Sequence, residues 1–127
     1  MKYIIETKKD LEQVCSDLST SVVKHGFGVL HIHDLYATLN KKGVPFQNPC
    51  RVFEVCNPGK AQAVMSYDMT LNMALPCRIS VWEEQGTVRI GMISPKSILS
   101  LLSQAEELLV MAQEVEATLK QIIDEAA

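Results

Sequence analysis

Beyond Pro95 the chain runs to about Glu125 without another glycine or proline. Such a stretch gives a helix no obvious place to break. About 30 residues at 1.5 Å each span roughly 45 Å. A compact chain of 127 residues has a radius of gyration of about 14 Å and hence a diameter of roughly 36 Å. One continuous C-terminal helix, opened by Ser94-Pro95, is therefore predicted to cross the domain and overhang it. Its core stripe is Ile98, Leu101, Leu102, Ala105, Leu108, Leu109, Ala112, Val115, Leu119 and Ile122. Val110 and Met111 point away from that stripe, and a second apolar surface usually buries itself against something else. They are the predicted contact of a homodimer. Glu106, Glu107, Glu114 and Glu116 read as a solvated face.

The rest of the chain alternates short elements. Residues 2–6 form a strand, and an amphipathic helix through Leu11, Val14, Cys15, Leu18 and Val22 follows, capped near Thr7 and ending at Gly26. A strand over 27–34 places Leu30 and Ile32 on one face and Val29, His31 and His33 on the other. Asp34 caps a short helix over 35–42, which Gly43 closes. After a loop with two prolines comes the strand 50–56. Asn57-Pro58 then opens a helix to about Ser66, with Asn as cap and Pro at the first helical position. Residues 67–76 read as a loop, and strands 78–83 and 87–92 form a hairpin around Gly86. The order is β-α-β(4)-α. It predicts a single α+β domain over residues 1–127, an antiparallel-rich curved sheet with the long C-terminal helix packed on one face.

Composition narrows the class. Twelve basic and fifteen acidic residues give a net charge of −3, which disfavours a nucleic-acid surface. No apolar run approaches the roughly 20 residues of a membrane span, and the start lacks the apolar core of a secretory signal. The expected location is the cytoplasm, where Cys15, Cys50, Cys56 and Cys77 would be free thiols. Their spacings match no standard zinc module.

Two separated motifs are more specific: Val55-Cys56-Asn57-Pro58 with Ala61, and Leu75-Pro76-Cys77-Arg78-Ile79-Ser80-Val81. Together with Gly26-Phe27-Gly28-Val29, the Ala37-Thr38-Leu39 helix ending at Lys42-Gly43, and the long acidic last helix, they resemble the prokaryotic domain of unknown function 302 family nearly end to end. The resemblance implies a small α+β fold similar to the half-repeat of the TATA-box-binding protein, often dimeric, with no established activity. Fold similarity of that kind carries no DNA-binding function. The chain departs from the family pattern where Met69 follows Asp68, and where Asn72 replaces a common Gly. His31 and His33 lie outside that pattern.

Cys56 ends one strand and Cys77 begins another, so their thiols are candidates for one site, together with Asn57, Pro58 and Pro76. Thiolates from Cys56 and Cys77, joined by His31 or His33, would suit zinc or Cu(I). Two histidines at i and i+2 on a strand share a face and have chelating spacing. Met65, Met69 and Met73 read as gap-fillers in an irregular core. An apolar groove under the sheet, with Phe27, Phe53, Leu75 and Trp82 as lining candidates, is the second possibility. There the Asn57-Pro58-Gly59 helix start would supply backbone donors for an anion. No Ser-centred elbow, P-loop, dinucleotide glycine motif or H-E-x-x-H occurs. The predicted function is binding of a small ligand or soft metal ion near Cys56 and Cys77. The alternatives are a thiol-dependent enzyme or redox sensor, or a homodimeric interaction module.

Overall fold

In a computed structural model covering residues 1–127, the elements in order are β1 (Lys2–Thr7), α1 (Leu11–Lys24), β2 (Gly28–Asp34), α2 (Leu35–Lys41), β3 (Cys50–Cys56), α3 (Pro58–Tyr67), a 3-10 turn (Met69–Ala74), β4 (Cys77–Glu84), β5 (Thr87–Ile93), α4 (Pro95–Leu102) and α5 (Glu106–Ala126). The strands make one sheet in the order β1-β5-β4-β3-β2, antiparallel at every pairing. The α+β class and the five strands agree with the sequence reading.

Period-two alternation gives the sheet one apolar face. Phe53 and Val55 of β3, Ile79 and Val81 of β4, and Val88, Ile90 and Met92 of β5 point to it. Against them pack Val14, Leu18 and Val22 of α1, with Leu119, Ile122, Ile123 and Ala126 of α5. A second, smaller cluster joins Val64 of α3, Leu71 of the 3-10 turn, Leu99 of α4, and Leu108 and Ala112 of α5. Caps fix the helix starts. Asp10, Asp34, Asn57 and Ser94 each accept a hydrogen bond from a backbone N–H three residues on. The first helix is thus capped by Asp10, three residues beyond the Thr7 that the sequence suggested.

Three expectations change. The C-terminal helix is not continuous, because Ser103 is extended (φ −153°, ψ 145°) and Ala105 opens a new helix. Ser103 Oγ accepts the Ala105 N–H at 3.2 Å, and Gln104 Nε2 donates to Ser100 O at 2.8 Å. Serine and glutamine side chains here replace helical backbone bonds. The break folds α4 back so that Leu99 and Leu108 share one cluster, and the predicted 45 Å rod becomes a 21-residue helix preceded by a short one. Second, the pairing of β2 shifts between Val29 and His31: Val29 lies opposite Val55, but His31 lies opposite Glu54. Leu30 is the extra residue of a bulge. Val29 therefore joins the core side, away from the histidines. Third, Glu116 is not a solvated carboxylate. It accepts a hydrogen bond from Ser94 Oγ, tying α5 to the start of α4. Burial is the largest single influence and raises its carboxyl, but the bonds from Ser94 and the Lys96 backbone, with Lys120, together hold it below the usual glutamate range.

Candidate functional site

The antiparallel register gathers four strand termini at one end of the sheet. Lys2 at the start of β1 lies opposite Ile93 at the end of β5, and Val55 near the end of β3 lies opposite Cys77 at the start of β4. From this end hang α3, the 3-10 turn and α4. Around this end of the sheet, between these helices, α5 and the strand ends, lies a groove of about 680 Å³ that draws on both sheet faces, Val52 and Ser80 from one and Val55, Cys77 and Met92 from the other. That is within the range of roughly 300–1,000 Å³ typical of small-molecule sites. Nineteen of its 27 lining residues are hydrophobic, so its contents would gain mainly from apolar burial.

One cross-strand row runs along the sheet side of the groove. Ile4 lies opposite Gly91, Gly91 opposite Ser80, and Ser80 opposite Val52. The two residues in the middle are small, the Ile4 side chain closes over Gly91, and Trp82 lies one step along β4. Gly91 has no alternative here, since a Cβ would sit 2.7 Å from the Tyr3 carbonyl oxygen. Ala61 and Val64 of α3, Ile98 and Leu99 of α4, and Met111, Ala112 and Val115 of α5 line the other side.

Cys56 and Cys77 both line this groove. Their strands present them oppositely, since Cys77 is paired with Val55 on the core side and Cys56 is the next residue along. Burial pushes the Cys77 thiol up to about 11, and the neighbouring Cys56 adds to the rise. Nucleophiles and redox-active cysteines need the opposite shift. Cys50 and Cys15 are likewise raised, mainly by burial.

The histidines lie elsewhere. His31 and His33 stand edge to face on β2, ring centroids 4.4 Å apart, and His33 Nε2 is 3.0 Å from Glu54 Oε1. That hydrogen bond is the main reason the Glu54 carboxyl lies below the usual range. Neither ring lines the groove, and no three His, Cys, Asp or Glu side chains converge to hold a metal ion. The two cysteines and two histidines proposed as one ligand set therefore fall into two separate places.

Asn57 and Pro76 line the groove, whereas Pro58 does not; the Leu75–Pro76 peptide bond is cis. The start of α3 offers little to an anion, because Pro58 has no N–H and Asn57 Oδ1 already takes that of Lys60. Phe27, Leu75 and Trp82 line the groove as expected, but Phe53 is wholly buried in the main core. Met69 and Met73 are 66% and 78% exposed, so they fill no gap in a core. Met111 packs against the second cluster of its own chain, leaving Val110, half exposed, as what remains of the predicted dimer contact. The sequence reading overlooked the charged members of the lining, Lys2, Lys60 and Arg78. Strand parity alone would have placed Lys2 and Arg78 on the uncovered face.

The fold and groove together define a small α+β protein whose sheet is backed by helices on one face and bounds an apolar trough at one end. The chain belongs to the DUF302 family, a domain of unknown function, which matches residues 3–126. It is similar to an uncharacterised conserved DUF302 protein from Bacillus stearothermophilus, whose crystal structure superposes with a TM-score of 0.94 at 28% identity, covering 99% of this chain and 98% of that one. No curated protein matches. No helix is long and apolar enough to cross a membrane.

Proposed function

We propose that this protein binds a small, largely apolar molecule in the groove at the end of the sheet. The observation that carries the reading is the lining itself: an open-ended apolar space of about 680 Å³ on a chain this size, with polar groups only at scattered points. The soft-metal reading draws no support from the geometry, because the sulfur and imidazole groups are apart. Burial raises the thiol of Cys77, one of the two candidate nucleophiles, which disfavours the thiol-enzyme reading at that residue.

Trp82 is the single tryptophan of the chain and lines the groove, so it reports on occupancy. Titration with the neutral dye Nile red should show saturable binding with transfer from Trp82. Ala61→Trp, which fills the groove from α3, should weaken that binding at least about tenfold, or roughly 1.4 kcal/mol, while leaving the far-UV spectrum unchanged. Dye binding that never saturates, or that Ala61→Trp leaves intact, would remove the groove as a binding site.

A further inference from the structure

The groove's charged residues run against the balance of the chain. Acidic residues outnumber basic ones fifteen to twelve overall, yet the lining holds Lys2, Lys60 and Arg78 and no carboxylate at all. The three cations are not equivalent. Lys60 is committed to Glu114 at 2.7 Å. Arg78 is two-thirds exposed, with Glu54 its only salt-bridge partner at 3.6 Å, and that carboxylate is already engaged by His33. Lys2 has no carboxylate within salt-bridge distance. Its backbone is nonetheless held in place, because Lys2 is paired with Ile93 and Ser94 N donates to Met1 O next to it. Arg78 and Lys2 thus present available positive charge at the groove's solvent side, with apolar surface running inward from them.

Resting on the groove reading above, we infer that the ligand is a free organic monoanion: an apolar body seated in the groove, with a carboxylate or similar head at Arg78 and Lys2. A neutral apolar molecule would leave those charges unanswered, and an apolar cation would meet them as repulsion. An arginine fork pairs well with a carboxylate.

A series with one tail and three heads tests this: dodecanoate, dodecanol and dodecyltrimethylammonium, each below its micelle concentration, followed through Trp82. Dodecanoate should bind about tenfold tighter than dodecanol, and the ammonium weakest. Arg78→Gln should remove most of dodecanoate's advantage over dodecanol without changing dodecanol itself, Lys2→Gln a smaller part, and the double variant all of it. The preference should shrink at high salt. Equal binding of dodecanoate and dodecanol, or a preference that survives the Lys2→Gln/Arg78→Gln double variant, would overturn the anion assignment while leaving the groove reading intact. Failure of all three, together with Nile red, would sink both. Protein that sediments with phosphatidylglycerol vesicles yet does not bind free dodecanoate would also overturn it.

Discussion

Glu125 sits where α5 ends against α1, and its carboxylate is shared by two residues of α1 and by His25, which follows that helix. His25 Nε2 is 2.9 Å away, Ser21 Oγ donates at 3.3 Å, and Lys24 Nζ lies at 3.5 Å. The hydrogen bond from His25 is the main reason its carboxyl lies below the ordinary glutamate value of 4.5. A depressed acid stabilises the fold above its unfolded value and loses that contribution as pH falls through the folded one. The urea midpoint of the protein should therefore exceed that of Glu125→Gln by a constant amount above about pH 5, with the gap closing below about pH 4. A gap unchanged down to pH 3 would show that the ionised carboxylate contributes nothing. This cluster was not legible in the sequence, since His25 and Glu125 are brought together only by the packing of the first helix on the last. Cys56 and Cys77 were more legible: each stands at a strand end, and antiparallel pairing of those strands brings the ends together. Their chemistry was less so, because burial, which sets the thiol of Cys77, is a property of the packed groove.

At the scale of elements, Asp34, Asn57 and Ser94 mark helix starts that a reader of the sequence can place, because a short polar side chain before an apolar run has one strong use. The break at Ser103–Ala105 has no such mark. Its residues differ in helix propensity by only a fraction of about 1 kcal/mol, and the bend is favoured by what it packs, the contact of Leu99 with the second cluster. The bulge at Leu30 is hidden for the same reason, since alternation reads unbroken until the partner strand is known. Leu108 is the fully buried centre of that second cluster. Leu108→Ala should cost about 2–5 kcal/mol, measured by urea unfolding. Amides of α3 and α4 should lose more protection from hydrogen exchange than those of the sheet. Uniform loss throughout would mean that the two clusters form a single cooperative unit.

Across the whole molecule, α1 and α5 bury one face of the sheet, and the groove at its end draws on both faces. The alternating pattern announced both faces, but only the pairing of the strands shows which residues are neighbours on the open one. The strand order has a kinetic consequence as well. Strands β2, β3 and β4 are each paired with the next strand in the chain, so their pairings close over short stretches. Strand β1 is different, since it pairs with β5, the strand most distant from it along the chain, and its closure costs the most chain entropy. It should dock after the rate-limiting barrier, as the last strand to arrive. Gly91→Ala, which intrudes on the Tyr3 carbonyl across that seam, should destabilise the protein by about 1–3 kcal/mol. In a chevron plot nearly all of that change should fall on the unfolding arm, with folding hardly slowed. A slowed folding arm would place the β1 seam inside the nucleus. The strand that carries Lys2 and Ile4 to the groove is then the last to be fixed, and the groove keeps an open side until β1 returns to meet β5.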